Sequence, residues 1–208
     1  MAITATGPSD VEEAIARARA LFLDDAHPFG CAETTFVVLK EAFGLPNPDD
    51  AAAAMALNGG VAYSGGPCGA ITGAALAVGE LAGSRIQDHA IAKRLARDTI
   101  SRLIADFEST FGAIDCRLLL GRDIQRPDDH AAFIESGRWR TVCMRQIEFA
   151  VRSLAGSTDA LTAGPTPART VTRSTLLGGG REQQDDRSQD GHRPAGDGEA
   201  SDGRGLPD

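Results

Sequence analysis

The chain is poor in aromatic residues: Phe, Trp and Tyr together make up 5% of its 208 residues, with a single Trp and a single Tyr. A core must therefore be assembled from Ala, Leu, Val and Ile, and text rich in Ala and Leu favours helices over strands. Basic residues are also in deficit, 21 against 29 acidic ones, for a net charge of −8. A nucleic-acid partner needs a basic face for its phosphates, and an anionic membrane surface needs the same, so neither is expected. The first ten residues carry no basic segment followed by an apolar one, so no secretory signal is expected. Long hydrophobic runs are missing too. The most apolar window, Pro67 to Gly83, is short for a membrane span, contains Glu80 and consists largely of Gly and Ala. No alternating strand pattern and no Cys-x-x-Cys pair is found.

What is present is a helical text followed by a polar one. Between Ser157 and Asp208 there is no aromatic residue, and Gly, Pro, Asp, Arg, Ser and Gln dominate. Such a segment cannot bury enough apolar surface to offset its ordering entropy, so residues 156–208 are expected to be a disordered, low-complexity tail. The folded domain is then 1–155. Its apolar spacing predicts helices over about 10–22, with Asp10 as N-cap, and over 31–43, stopped by Gly44 and Pro46. Further helices are predicted over 49–57, from Pro67 onward, over 88–111, from Asp115 and over 138–154. The expected fold is all-α, an antiparallel multi-helix bundle or array. Gly69, Gly73 and Ala77 share one side of the fourth helix and are small enough to let a neighbouring backbone approach closely.

The chemistry rests on four cysteines, Cys31, Cys68, Cys116 and Cys143. Without a secretory signal they are expected in a reducing, cytoplasmic compartment, as ligands or reactive thiols rather than structural disulfides. Cys31, Cys68 and Cys116 each fall at an expected helix start, where unpaired N–H groups and the helix dipole stabilise a thiolate. Cys143 lies mid-helix near an apolar stripe, where a cysteine ordinarily packs as a small hydrophobe. It joins a site only if its helix faces the others. The wide spacings support neither a thioredoxin-type pair nor a zinc ribbon, so a shared site must be assembled by tertiary structure.

These residues have a recognisable order. Gly30-Cys31-Ala32-Glu33, then Gly65-Gly66-Pro67-Cys68-Gly69-Ala70-Ile71-Thr72-Gly73-Ala74, then Phe111-Gly112-Ala113-Ile114-Asp115-Cys116-Arg117-Leu118-Leu119-Leu120-Gly121, then Cys143, resemble the C_GCAxxG_C_C family over about residues 27–150. The family name spells its central element Gly-Cys-Ala-x-x-Gly, where this chain has Cys68-Gly69-Ala70-Ile71-Thr72-Gly73. Members are described as redox-active, so the resemblance implies a redox role without fixing substrate or cofactor.

Two redox chemistries follow. Cys31, Cys68, Cys116 and Cys143 together meet the ligand demand of an iron–sulfur cluster. Alternatively one thiol, with Cys68 the first choice, attacks an oxidised substrate and a second cysteine resolves the adduct as a disulfide. A structural zinc site, or a helical interaction domain with no cofactor and no redox activity, is the competing class. The partner is then a redox protein or a small-molecule oxidant, and a homo-oligomer is left open. Among other residues, His27 is a ligand candidate by its spacing from Cys31, although a loop histidine without a role is the plainer reading. His89, His130 and His192 read as solvated, Asp24-Asp25 and Asp128-Asp129 as surface or capping carboxylates, and Arg117 as a surface arginine. Thr72 is expected to bond back to its own helix. The loop Gly59 to Gly66 lacks the Lys-Ser/Thr of a P-loop. Its glycines are expected to bring backbone close to the cysteines, with Tyr63 lining the site.

Overall fold

Helix α1, Pro8–Phe22, turns Ile15, Ala18, Leu21 and Phe22 into one buried stripe, as their three- and four-residue spacing dictates. Helix α2, Cys31–Ala42, is instead buried on all sides from Ala32 to Lys40 and forms the centre of the molecule. The computed structural model describes residues 8–24, 26 and 29–156, which lie in the first of two units, Met1–Pro167. A 3₁₀ helix over Ala52–Leu57 follows α2, and then come α3 (Gly69–Arg85), α4 (His89–Phe111) and α5 (Cys116–Leu120). The last two are α6 (Pro127–Glu135) and α7 (Trp139–Ala155). The described residues contain no strand, only an isolated antiparallel bridge between Pro67 and Asp115, so the fold is all-α.

The closest pairing is α2 on α3, with α4 against α3, and α1 and α7 against α2. Its cause is the small-residue side of α3. A Cβ added at Gly73 would lie closer than 3.0 Å to the Ala32 carbonyl oxygen, and one at Gly69 closer than 3.0 Å to the Cys31 sulfur. Real Cβ atoms essentially never come that close. Glycine at these two positions lets the start of α3 cross directly on the start of α2.

Several boundaries differ from expectation. Asp10 lies inside α1 rather than at its N-cap. The segment expected as a helix over 49–57 is a 3₁₀ helix that begins only at Ala52. Helix α3 starts at Gly69 with Cys68 as its N-cap, because the chain through Pro67 is extended and paired with Asp115. Helix α6 is an addition to the expected elements: Pro127 opens it and Asp128 and Asp129, expected as surface or capping carboxylates, occupy its first turn. Asp88 does cap α4, accepting from Ile91 N–H at 3.0 Å. The expected tail lies outside the described residues beyond Gly156, which closes α7. His27, His192 and Asp25 lie outside them as well.

Candidate functional site

The four cysteines come from four different helices. Cys31 is the first residue of α2, Cys68 the N-cap of α3, Cys116 the first residue of α5, and Cys143 lies within α7. Two backbone bonds join the second and third. Cys68 N–H donates to Ile114 O at 2.8 Å and Cys116 N–H to Gly66 O at 2.7 Å, so the two thiols stand diagonally on one face of the Pro67–Asp115 bridge. The Cys31 sulfur rests against Gly69, the residue after Cys68. From α7, Gln146 reaches in to accept a hydrogen bond from the Cys68 thiol at 3.4 Å, and Cys143 sits one turn earlier on the same helix.

Cys31 has the most elaborate surroundings. Asn58 Oδ1 accepts from Ala32 N–H at 2.9 Å and lies 3.9 Å from the Cys31 sulfur. The Asn58 amide is oriented by donating to Glu33 Oε2 at 2.7 Å and to Met55 O at 3.2 Å. Glu33, buried at the third position of α2, also accepts from Gly30 N–H at 2.9 Å, the backward half of a capping box. Downstream of Asn58 the residues Gly59, Gly60, Val61, Ala62 and Tyr63 all have positive φ. For the three L residues this conformation costs about 1–2 kcal/mol each, and for β-branched Val61 it is a genuine outlier. The run is held by Ala62 N–H to Ala56 O at 2.7 Å and Tyr63 N–H to Asn58 O at 3.1 Å. Its effect is to place Tyr63 in the cavity wall with the thiols.

Burial decides the ionisation of all four thiols, and it raises each of them. For Cys31 the nearby backbone amides of Gly59, Ala32, Cys31 itself and Gly69 pull the other way. Cys68 is raised well above the ordinary thiol range by burial, then by charge on Cys31, against bonds from the Ala70 and Ile71 amides. Cys116 is pushed up to about 12 by burial and by charge on Cys31. Cys143 is raised by burial and then by charge on Cys31, Cys68 and Cys116. The expected thiolate-stabilising helix starts are therefore outweighed by desolvation. At α5 the reason is visible: Cys116 and Arg117 N–H groups are spent on Gly66 O and Gly65 O.

A cavity of about 530 Å³ opens onto three of them, Cys31, Cys116 and Cys143. Cys68 lies behind it and is 2% exposed. Tyr63 lines the cavity, as expected, edge-on to His130 with ring centroids 4.8 Å apart. Sequence reading placed His130 in solvent and gave no role to Asn58, Glu33 or Gln146. The spacing of Gly30 and Glu33 was the available signal for the first network, but none existed for the others. Asp24 also lines the cavity, while His89 is exposed at the start of α4. Arg117 anchors the loop by donating to Ser64 O at 2.9 Å, and Thr72 bonds back to Gly69 O at 3.3 Å.

As arranged, no three His, Cys, Asp or Glu side chains among the described residues converge so that they could hold a metal ion. No helix among the described residues is long and apolar enough to cross a membrane. Searches of curated proteins and of solved structures give no match. The sequence model of one family, described as "Putative redox-active protein (C_GCAxxG_C_C)", matches residues 29–156. That span contains all four cysteines, the Gly69 and Gly73 contact and nearly all of the described helices, and the chain belongs to this family.

Proposed function

We propose that the protein works as a thiol–disulfide redox protein, cycling between a dithiol and a disulfide, with Cys31 as the attacking thiol and Cys116 as the resolving one. The observation that carries this reading is the setting of Cys31: partly exposed in the cavity that Cys116 also lines, with its sulfur resting against Gly69 and Asn58 Oδ1 3.9 Å away. This replaces Cys68 as the first choice, since Cys68 is sealed from the cavity and bonded to Gln146. Cys116 faces the same cavity. In the cycle the two S–H bonds break and one S–S bond forms, while two electrons and two protons pass to the oxidised substrate. Free thiols of this kind belong in a reducing, cytoplasmic compartment.

The reading is tested by exposing the reduced protein to hydrogen peroxide and mapping its disulfides by mass spectrometry. A reversible Cys31–Cys116 bond is expected. Cys31→Ser should abolish it, and Cys116→Ser should leave Cys31 as an unresolved sulfenic acid or mixed adduct. A wild-type protein whose four thiols all stay reduced, or a Cys31→Ser variant that still oxidises normally, refutes the assignment.

A further inference from the structure

The cavity over the thiols carries more information than the thiols do. Aromatic residues are scarce in this chain, eight Phe, one Trp and one Tyr, yet five of them line this one space: Phe22, Phe29, Tyr63, Phe133 and Trp139. Leu120 and Ile124 complete the wall, so the lining is apolar and ring-rich. Its volume, about 530 Å³, falls in the range that encloses a small organic molecule. Among the described residues the lining has no Lys or Arg and includes two carboxylate residues, Asp24 and Glu33. An anionic thiol compound would enter against those charges. The mouth is apolar as well: Met55, Tyr63 and Ile134 line the cavity and are 62%, 44% and 49% exposed. A disulfide on the surface of a folded protein would have to reach inward, since Cys116 is 6% exposed.

We infer that this cavity binds a neutral, planar, apolar two-electron oxidant of the quinone class, which takes its electrons from the Cys31–Cys116 dithiol. The inference rests on the thiol–disulfide reading above and names its substrate. The aromatic walls offer faces and edges to a flat ring. Tyr63 and His130, in contact at the same wall, bring the hydrogen-bonding groups that a quinone oxygen requires. The step balances: both S–H bonds break, the Cys31–Cys116 bond forms, and the two electrons and two protons convert the two quinone carbonyls to hydroquinone hydroxyls.

The experiment mixes the reduced full-length protein, without oxygen, with duroquinone, whose ring carbons are all methylated and cannot take up a thiol. Oxidised glutathione, insulin and hydrogen peroxide serve as parallel oxidants. One hydroquinone per disulfide is expected, at a rate that saturates with duroquinone and exceeds the glutathione rate by about tenfold or more at equal concentration. Disulfide formation with peroxide, glutathione or insulin but not with duroquinone overturns the quinone assignment and leaves the thiol–disulfide reading standing. So does duroquinone reduction that rises linearly without saturating. Failure of every oxidant to produce a disulfide overturns both.

Discussion

Substituting Gly73 by Ala tests the contact on which the site is built. In a helix interior, replacing Gly by Ala ordinarily stabilises by about 0.5–1 kcal/mol, because the chain loses less entropy on folding. Helix α3 contains its own control. Gly79 and Gly83 lie in the same helix with open space where a Cβ would stand, so each should show that gain when replaced by Ala. At Gly73 the new methyl meets the Ala32 carbonyl, with Ala32 C at 3.0 Å and Ala32 Cα at 3.2 Å. These are backbone atoms of a buried helix and cannot swing aside as a flexible side chain would. Overpacking of this kind costs about 1–3 kcal/mol or more. Gly73→Ala should thus fall below Gly79→Ala by about 1.5–4 kcal/mol, the clash and the missing gain together. Urea unfolding of the three variants, read by circular dichroism, measures the difference directly. Equal stabilisation in Gly73→Ala and Gly79→Ala would show that α2 and α3 do not meet at Ala32, and the placement of Cys31 against Gly69 would fall with it.

Asn58→Ala should destabilise the protein by about 1–3 kcal/mol, the cost of leaving a buried donor or acceptor without a partner. It strands the Ala32 amide and removes a donor from Glu33, so alkylation kinetics at Cys31 should change along with the unfolding midpoint. A second expectation concerns alkaline pH. Folding raises the thiol pKa values, so between pH 9 and about 12 the unfolded chain has released protons that the folded one still holds, most clearly at Cys116. Stability is therefore complete below pH 9 and falls as pH rises, by about 1.4 kcal/mol per pH unit for each thiol. Cys116→Ala should make the decline in an unfolding series from pH 8 to 11 shallower by one proton. An unchanged slope would count against its burial.

Much of this was legible in the text, and the failures share a cause. The helices followed from local periodicity, and the Gly69–Gly73–Ala77 side announced a close contact because small residues one turn apart have few other uses. The cysteine-bearing helix starts were also local. The sign of the thiol pKa shifts was not, because desolvation depends on what covers a sulfur, and the covering residues come from α5, α6 and α7. Nor could Val61-Ala62-Tyr63 disclose a left-handed run. Those residue types avoid that conformation, and only the bonds back to Ala56 and Asn58 impose it. His130 has polar sequence neighbours that suggest solvent, and only α6, which the sequence does not announce, brings it to the cavity wall.

The raised thiols have a consequence for the direction of electron flow. A strongly oxidising dithiol owes its power to a reduced form stabilised as a low-pKa thiolate. In the proposed Cys31–Cys116 pair burial raises both thiols, so the reduced form has no such advantage and the pair is expected to give electrons away. The claim can be checked from the pH dependence of the reduction potential. If both thiols remain protonated below pH 9, reduction takes up two protons with two electrons. The potential should then fall by about 59 mV per pH unit, two protons at about 29.6 mV each. The slope should hold without a break from pH 5 to 8.5, as followed by equilibration with a thiol–disulfide buffer and thiol counting. A break to half that slope anywhere below pH 8 would reveal a thiolate in that range. The amides around Cys31 would then have outweighed its burial, and the pair would be an oxidant rather than a donor.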